Sequence, residues 1–370
     1  MKSRKQHLSF LLFFVFFNLV SGYIAAEDNK DSKDTKKSMN IFPFIMYDTD
    51  IGFGYGAKAK FVNYLSKKES FDFFIFNSTK GERTYIFTFS IPDTEIRQGE
   101  TYPFSFDLKA EYSKYLKYYF YGTGADSREE DQTEFTNERK ELQMKLGRGF
   151  SNRFVVELFY SLKNIFYFNI ERDRPFTDTL DTVGEQFSPF ASLVIRYDTS
   201  DSQIHPKKGF RLIFQNDVAS KLLGNKNASF HRLTLDFRKY TLLFGQNDVL
   251  AFRTLIQKVS GEAIPLFELS SLGGASEITV MRGYMMNRFN DKGKFLINAE
   301  YRFPLWKKLG GNIFLDGGLV WPSWSGILLD NVAVDVGWGL RYYLQNFVVR
   351  FDMGFSDEGF SIYFNFNHVF

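Results

Sequence analysis

The 370-residue chain contains no cysteine and only four histidines. The absence of cysteine excludes disulfide bonds, thiolate catalysis, cysteine-ligated metals and acylation at a lipoprotein cysteine. Four scattered histidines do not suggest a multi-histidine metal centre, so we expect neither a metal nor another cofactor. The net charge is only +3, which gives no electrostatic reason to expect a nucleic-acid partner.

Long apolar runs are absent after the N-terminus. The single run at 8–20 follows three basic residues and precedes a stretch of small residues. This order predicts a secretory signal peptide over 1–26; a single membrane anchor is the alternative, because the run is close to the shortest spanning helix. The charged segment 27–40 predicts a linker. We therefore expect an exported protein with no later membrane-spanning helix.

Aromatic residues are abundant, at 19% of the chain, and 45 of them are phenylalanine. From residue 41 onward, apolar and polar residues alternate with the period of two that is typical of β-strands. The alternation is clear in 102–112, 295–305, 334–344 and 360–370. In the last of these, Phe360, Ile362, Phe364, Phe366 and Phe370 are expected on one apolar face.

Two architectures have such strands, a soluble sandwich and an outer-membrane barrel. In the sandwich the apolar face packs on a second sheet, whereas in the barrel it faces lipid and the polar face lines a wet lumen. The strands are about nine to fourteen residues long, as a tilted membrane span requires. Tyrosines lie near strand ends, as in an interfacial girdle, and a secretory signal precedes the strands. We predict an all-β transmembrane β-barrel over 41–370.

The predicted strands number about sixteen, and an even number is typical of bacterial barrels. With the N-terminus in the periplasm, the long connections 116–137, 169–187 and 262–293 are all external. This matches the long-outside, short-inside pattern of outer-membrane barrels. The predicted strands are 41–48, 51–64, 69–79, 83–92, 102–115, 138–150, 153–168, 188–200, 209–220, 230–244, 248–261, 294–305, 311–321, 332–344, 346–356 and 360–370.

Four ordered motifs resemble one known family. They are "VIRYDTSDSQIHPKKGFRL" at 194–212, "GGASEITVMRGY" at 273–284, "FLINAEYRFPLWKKLGGNIFLDGGLVW" at 295–321, and the ending on Phe370. Together they resemble the BamA/TamA/FhaC superfamily of outer-membrane assembly and translocation barrels, also called bacterial surface antigens. The well-known members carry periplasmic POTRA domains, for which 27–40 is too short. The resemblance therefore implies a short subgroup that has only the barrel.

The segment 262–293 is too long for an ordinary connection and too apolar for a solvated one. A sixteen-stranded lumen is wide enough for an aqueous channel unless something fills it. We expect this loop to fold into the lumen, with Arg282 at its tip. Strand alternation places Glu300 and Asp316 on the lumen faces of the two strands that follow the loop. The alternative is an exposed loop whose Arg282 is solvated.

The resemblance places an arginine–acid lock on these same three positions. Gly283 is expected to give the loop tip its turn where a Cβ would clash, and Tyr284 to brace it. The aromatic residues of the last strand, Phe366 and Phe370, resemble the family's assembly signal.

The resemblance implies a protein that assists insertion or translocation of protein or lipid at the bacterial outer membrane. The implied mechanism is lateral: the first and last strands pair weakly, the seam opens, and the nearby bilayer thins. The implied partners are outer-membrane lipid and a protein client or a partner of the assembly machinery, and we expect a monomeric barrel. No stretch suggests a catalytic serine–histidine pair, so an enzyme is not expected. The alternative function is a passive pore or a surface-exposed structural antigen.

Overall fold

A computed structural model describes residues 37–48, 50–245 and 247–370. The expected signal peptide 1–26 and the part of the expected linker up to residue 36 lie outside the described residues. The last three residues of the expected linker belong to the first strand, which begins at Ser38. Among the described residues, no helix is both long enough and apolar enough to cross a membrane.

Strands dominate the described part of the chain, and they are numbered in chain order. They are β1 (Ser38–Asp48), β2 (Gly52–Val62), β3 (Ser70–Ser78), β4 (Arg83–Ile91), β5 (Tyr102–Phe120), β6 (Thr133–Gly149), β7 (Phe154–Phe168), β8 (Glu185–Phe187), β9 (Phe190–Asp198), β10 (Gly209–Ala219), β11 (Ser229–Leu242), β12 (Val249–Glu262), β13 (Ser270–Leu272), β14 (Phe289–Asp291), β15 (Gly293–Trp306), β16 (Leu309–Trp321), β17 (Ala333–Tyr343), β18 (Val348–Ser356) and β19 (Gly359–Phe366). One α-helix, α1 (Thr177–Val183), and short 3-10 turns at Glu129–Asp131, Lys221–Leu223, Leu266–Glu268, Trp324–Gly326 and Leu329–Asn331 lie in the connections.

Sixteen of these strands form one continuous antiparallel ladder. Each pairs with the next along the chain from β1 to β7, then through β9, β10, β11 and β12 to β15, and onward to β19. The three-residue β8 adds to the end of β7, and β13 with β14 forms a separate small hairpin. The predicted all-β barrel of about sixteen antiparallel strands is confirmed.

The two faces of the ladder differ as the alternation predicts. On β16, Asn312 and Asp316 are buried inside the barrel, whereas Ile313 and Leu315 are 54% and 45% exposed on the outside. Apolar side chains on the outside of a membrane barrel contact lipid and need no further covering. The inside is polar and charged, and many of its side chains form ion pairs with one another.

Several predicted boundaries differ from the structure. β5 continues to Phe120 and β6 begins at Thr133, so the external connection 116–137 shrinks to 121–132. The connection 169–187 contains α1 and β8 rather than being irregular throughout. The last strand ends at Phe366 instead of Phe370. The outer extension of β5 was missed because its run of tyrosines and lysines resembles an interfacial girdle.

The long strands β5, β6 and β7 carry a second small core. Phe120, Phe135 and Tyr167 are buried at their outer ends, and Leu180 of α1 packs with them. At about 3.3 Å per residue, the nineteen-residue β5 is roughly 63 Å long, far more than the ~25 Å apolar band of an outer-membrane barrel. These strands therefore project beyond the membrane and form an external cap.

The seam between β1 and β19 is different from every other neighbouring pair. Across the described residues, the ladder does not continue from β19 to β1. The two strands meet through aromatic rings instead: Phe42 lies 6.0 Å from Phe366, and Phe44 lies 5.6 Å from Phe364, measured between ring centroids.

The faces involved show how the strands overlap. Phe42 is opposite the buried Lys58, on the lumen face of β1, whereas Phe366 is opposite Val349, on the outer face of β19. The outer face of β19 thus packs on the inner face of β1, and the last strand lies inside the first.

Candidate functional site

The connection between β12 and β15 folds into the barrel. Strands β13 and β14 of this connection form a hairpin beside the barrel wall. The apolar residues Leu272, Val280 and Met281 of the connection are fully buried. They pack against inward-facing Leu296 and Val320 of the wall. Because these side chains fill space that would otherwise be a wet channel, the apolar composition of this loop has a packing role. We call residues 263–292 the lumen loop.

Arg282 lies at the inner tip of the lumen loop with no exposed surface. Its Nε and Nη2 donate to the two carboxylate oxygens of Asp316, at 2.8 and 2.9 Å, and its Nη1 donates to Glu300 Oε2 at 2.7 Å. The main-chain N–H of Arg282 also donates to Asp316, at 3.2 Å. The structure thus brings together the three residues that the sequence predicted for the lock.

Two further contacts complete the surroundings of this guanidinium. Its central carbon lies 3.4 Å from the centre of the Phe314 ring, a close cation–π contact. Asp352 of β18 is 3.8 Å from Nη1. Burial alone would lower the pKa of Arg282, but Asp316, Glu300 and Asp352 outweigh it and raise the pKa well above the usual value. The arginine therefore stays charged in place.

A second layer of arginines balances the acids. Arg341 contacts both Asp352, at 2.8 Å, and Glu300, at 3.3 Å, and Arg302 Nε donates to Glu300 at 2.9 Å. Strand alternation also puts Arg302 and Arg341 on the lumen face, but it does not by itself connect them to the lock. Phe314 and Asp352 were missed, although the same alternation puts both on inward-facing positions.

Gly283 fits where no other residue could. A Cβ at this position would lie 2.5 Å from the Asp335 Cβ and 2.8 Å from the Phe355 carbonyl carbon. On the strand side, a Cβ at Gly354 would lie 2.3 Å from the main chain of Arg282. The loop backbone therefore rests directly on β18. The geometry agrees with the prediction that a Cβ would clash at Gly283. The reason is the close approach of the loop backbone to β18, and not a turn at the loop tip.

Tyr284 and Arg288 tie the outer part of the lumen loop to the hairpin turn between β18 and β19. The Tyr284 hydroxyl donates to Asp357 at 2.8 Å, and Tyr363 donates to the Tyr284 carbonyl at 2.7 Å. Arg288 Nε donates to both carboxylate oxygens of Glu358, at 2.8 and 2.9 Å. The lumen loop is thus anchored to the last hairpin at two levels.

Phe366 and Phe370 occupy different environments. Phe366 is on the outer face of β19 at the seam. The predicted position of Phe370 on that same face is wrong: Asn367 has a φ of +62°, which reverses the chain, and Phe370 turns into the lumen. Its ring lies 5.6 Å from the Arg302 guanidinium, and Arg302 donates to its main-chain oxygen at 2.9 Å.

We expect Phe366→Ala and Phe370→Ala each to lower the amount of protein inserted in the outer membrane, as an assembly signal requires. Phe370→Ala should also lower the unfolding temperature of the purified barrel, because truncating a buried phenylalanine costs about 3–5 kcal/mol in a dry core and less beside water. Phe360→Ala, at the exposed outer end of β19, is the control. An unchanged outer-membrane yield for both variants would contradict the assembly role.

The family of this chain follows from a match to a known family model. The model of the Omp85 superfamily domain matches residues 63–370. The chain belongs to the Omp85 superfamily. It is accordingly a bacterial outer-membrane protein, and the predicted localisation is confirmed. A search of curated proteins found no match.

Solved structures with the same fold include a BamA and two CdiB proteins. BamA from Haemophilus ducreyi lacking POTRA domains 1–3 is 13% identical, with a TM-score of 0.57, and the match covers 90% of this chain and 70% of that one. CdiB from Acinetobacter baumannii (14% identity, TM-score 0.50) and from Escherichia coli (11%, 0.57) each match over 88% of this chain. The match spans only 59% and 61% of those CdiB chains. At these identities the likeness shows the fold.

Among the described residues, no group of three or more histidine, cysteine or carboxylate side chains could hold a metal ion. The candidate site is a buried ion-pair cluster, the lock, between the lumen loop and the barrel wall.

Proposed function

We propose that this Omp85 barrel assists the insertion or translocation of protein or lipid at the outer membrane, and that it acts through the seam between β1 and β19. The observation that carries the proposal is the seam itself. In the described residues, every other neighbouring pair of barrel strands is joined by a ladder of backbone hydrogen bonds. Strands β1 and β19 meet through contacts between phenylalanine rings. Aromatic contacts separate without breaking a row of hydrogen bonds, so this is the weakest line in the wall.

Strand length supports the same position. The seam strand β19 has eight residues and is the shortest of the sixteen ladder strands. Strands β18, β3 and β4 have nine residues each and β1 and β2 have eleven, whereas β5 to β7 have fifteen to nineteen. At about 3.3 Å per residue and a tilt of about 40°, eight residues give a wall roughly 20 Å high, below the usual ~25 Å apolar band. A short wall thins the adjacent bilayer, which lowers the barrier to insertion there.

The occupied lumen argues against a passive pore. The lumen loop fills the lumen from the outer side. At the opposite end, His205 Nε2 lies 3.2 Å from the Leu344 carbonyl oxygen, and the tail ending in Phe370 folds inward against Arg302. Both ends of the lumen are therefore occupied, which favours a closed barrel over an open pore. A client that uses this barrel therefore passes along the seam, and the lipid beside the seam is its first partner.

The proposal assigns no chemical step to the barrel. Its partners are a protein client, or a partner of the assembly machinery, and outer-membrane lipid, and the barrel works as a monomer.

Reconstitution tests the function directly. The purified barrel is placed in phospholipid vesicles, a urea-unfolded barrel client is added, and the folded fraction is followed by its heat-modifiable gel mobility. We expect faster client folding than in vesicles that hold an unrelated porin. A parallel assay follows the transfer of fluorescent lipid between leaflets. If client folding and lipid transfer are no faster than in vesicles that hold the unrelated porin, and a planar bilayer shows steady ion conductance, the protein is instead a passive pore.

A further inference from the structure

A small cavity lies within the barrel at the end with the short connections, opposite the lumen loop. Its volume is about 50 Å³, and it lies between the turn 92–101 and strands β5, β6, β7 and β9. Its charged lining holds four cations, Arg97, Lys145, Arg153 and Arg196, against two carboxylates, Glu100 and Asp198, and Tyr102 also lines it. The lock is not part of this cavity.

Three hydrogen-bond donors in the lining have no acceptor. Arg97 is nearly fully buried, with 4% of its side chain exposed; its Nη2 donates to both oxygens of Asp107 at 2.9 Å, while its Nη1 has no partner. Arg196 Nε and the Tyr102 hydroxyl are also buried without a partner. Buried donors in native proteins nearly always have an acceptor, and one left unpaired is costly, most of all when it is charged.

The charges around the cavity do not cancel. Lys145 is shared between Asp107, at 3.1 Å, and Glu157, at 3.2 Å. Arg196 reaches Glu157 only at 3.8 Å. Three cationic groups (Arg97, Lys145, Arg196) thus face two carboxylates, and the lining carboxylate Asp198 is paired with Arg211 at 2.8 Å, which leaves a surplus of one positive charge inside the cavity. The exposed Arg153 and Glu100 offset each other at the cavity mouth.

Contacts with a neighbouring turn hold the cavity in shape. Glu95 accepts hydrogen bonds from the main-chain N–H groups of Gln203 and Ile204, at 2.8 and 3.2 Å. Gln98 donates to the Ser200 carbonyl at 2.7 Å. Because the turn 92–101 is fixed to the turn 199–208, the donors of Arg97 are oriented before any ligand arrives.

We propose that this cavity binds a phosphate group, either free phosphate or the phosphate of a lipid headgroup. Two guanidinium groups and a phenol hydroxyl line it from the turn 92–101 and from strands β9 and β5, and guanidinium groups suit the oxygen geometry of phosphate. The volume admits a group of a few heavy atoms and excludes a polypeptide segment. A bound phosphate supplies acceptors to all three unpaired donors and neutralises the surplus charge.

Equilibrium dialysis with radiolabelled inorganic phosphate tests the site on the full purified chain in a phosphate-free detergent. We expect saturable binding of one phosphate per chain. Arg196→Gln, which removes one donor, and Tyr102→Phe, which removes a single oxygen atom, should each weaken binding about tenfold. Arg148→Gln is the matched control, since Arg148 is an exposed cation near the same end of the barrel that does not line the cavity. Heat-modifiable mobility checks that each variant is folded.

Nanodiscs distinguish the two sources of phosphate. If the natural ligand is a headgroup, the protein in phosphatidylglycerol nanodiscs takes up no inorganic phosphate, whereas in nanodiscs of a phosphate-free glycolipid it binds one. If the ligand is free phosphate, uptake is the same in both. The proposal is overturned if no saturable binding occurs in detergent, or if folded Arg196→Gln and Tyr102→Phe bind phosphate as tightly as the Arg148→Gln control.

Discussion

Replacing Arg282 with alanine is expected to release the lumen loop, expose it to protease added from outside the cell, and raise the ion conductance of the barrel. The side chain is held by two fully buried carboxylates and a ring, so its loss leaves Glu300 and Asp316 without their main counter-charge. Removing one partner of a buried ion pair costs roughly 3–5 kcal/mol, and water entering the lumen reduces this cost. Loop proteolysis and planar-bilayer conductance measure the effect.

The acids should behave as parts of the same unit. Glu300→Gln and Asp316→Asn are each expected to resemble Arg282→Ala, and combining either with it should add little, because contacting residues are not additive. Arg282→Lys should rescue poorly. An ammonium group cannot reproduce the planar fork that engages both oxygens of Asp316 while also reaching Glu300.

Lys292→Ala is the matched control, because Lys292 is an exposed cation in the same loop. It should leave proteolysis and conductance unchanged. Strict additivity of Arg282→Ala with both acid variants in a double-mutant cycle would show that these contacts do not hold the loop.

A covalent bridge across the seam is expected to abolish insertion and translocation. The chain has no cysteine, so Phe42→Cys with Phe366→Cys provides the sole reactive pair for a short reducible thiol crosslinker. The two rings are 6.0 Å apart across the gap between β1 and β19. If the seam must open for a client to pass, the bridged barrel should lose all activity in the vesicle assay, and a reductant should restore it.

The control pair lies within the continuous ladder. Phe73 and Phe87 are directly opposite on β3 and β4, with ring centroids 5.1 Å apart. Phe73→Cys with Phe87→Cys can be bridged in the same way without joining the seam, and activity should persist. Full activity of the bridged seam variant would locate the function elsewhere in the barrel.

The sequence predicted the lock because its geometry is local. Glu300 and Asp316 are on the two strands that directly follow the lumen loop, and a period of two is enough to put both inside. Asp352 belongs to a strand two places further round the barrel. Its approach to Arg282 depends on the curvature of the wall and on the depth of the loop tip, and neither follows from alternation.

The position of Phe370 was predicted wrongly, because the alternation of the last strand does not continue as far as this residue. The alternation of the last strand is continuous in the letters, but one asparagine with positive φ ends the strand and redirects the tail. Asparagine tolerates this conformation better than most residues, yet Asn365, two positions earlier, continues the strand. The cavity proposed to bind phosphate could not be predicted from the sequence either, because Arg97 and Arg196 are about a hundred residues apart.

The partners of Arg282 come later in the chain than the arginine itself. Asp316 follows it by 34 positions, and Asp352 stands on the penultimate strand. Gly354, on which the loop backbone rests, is on that strand as well. The loop therefore cannot be seated while the C-terminal strands are unpaired, whatever the order in which the earlier strands form. The lumen loop therefore enters the lumen late in biogenesis. In an incomplete barrel, proteases can still cut this loop.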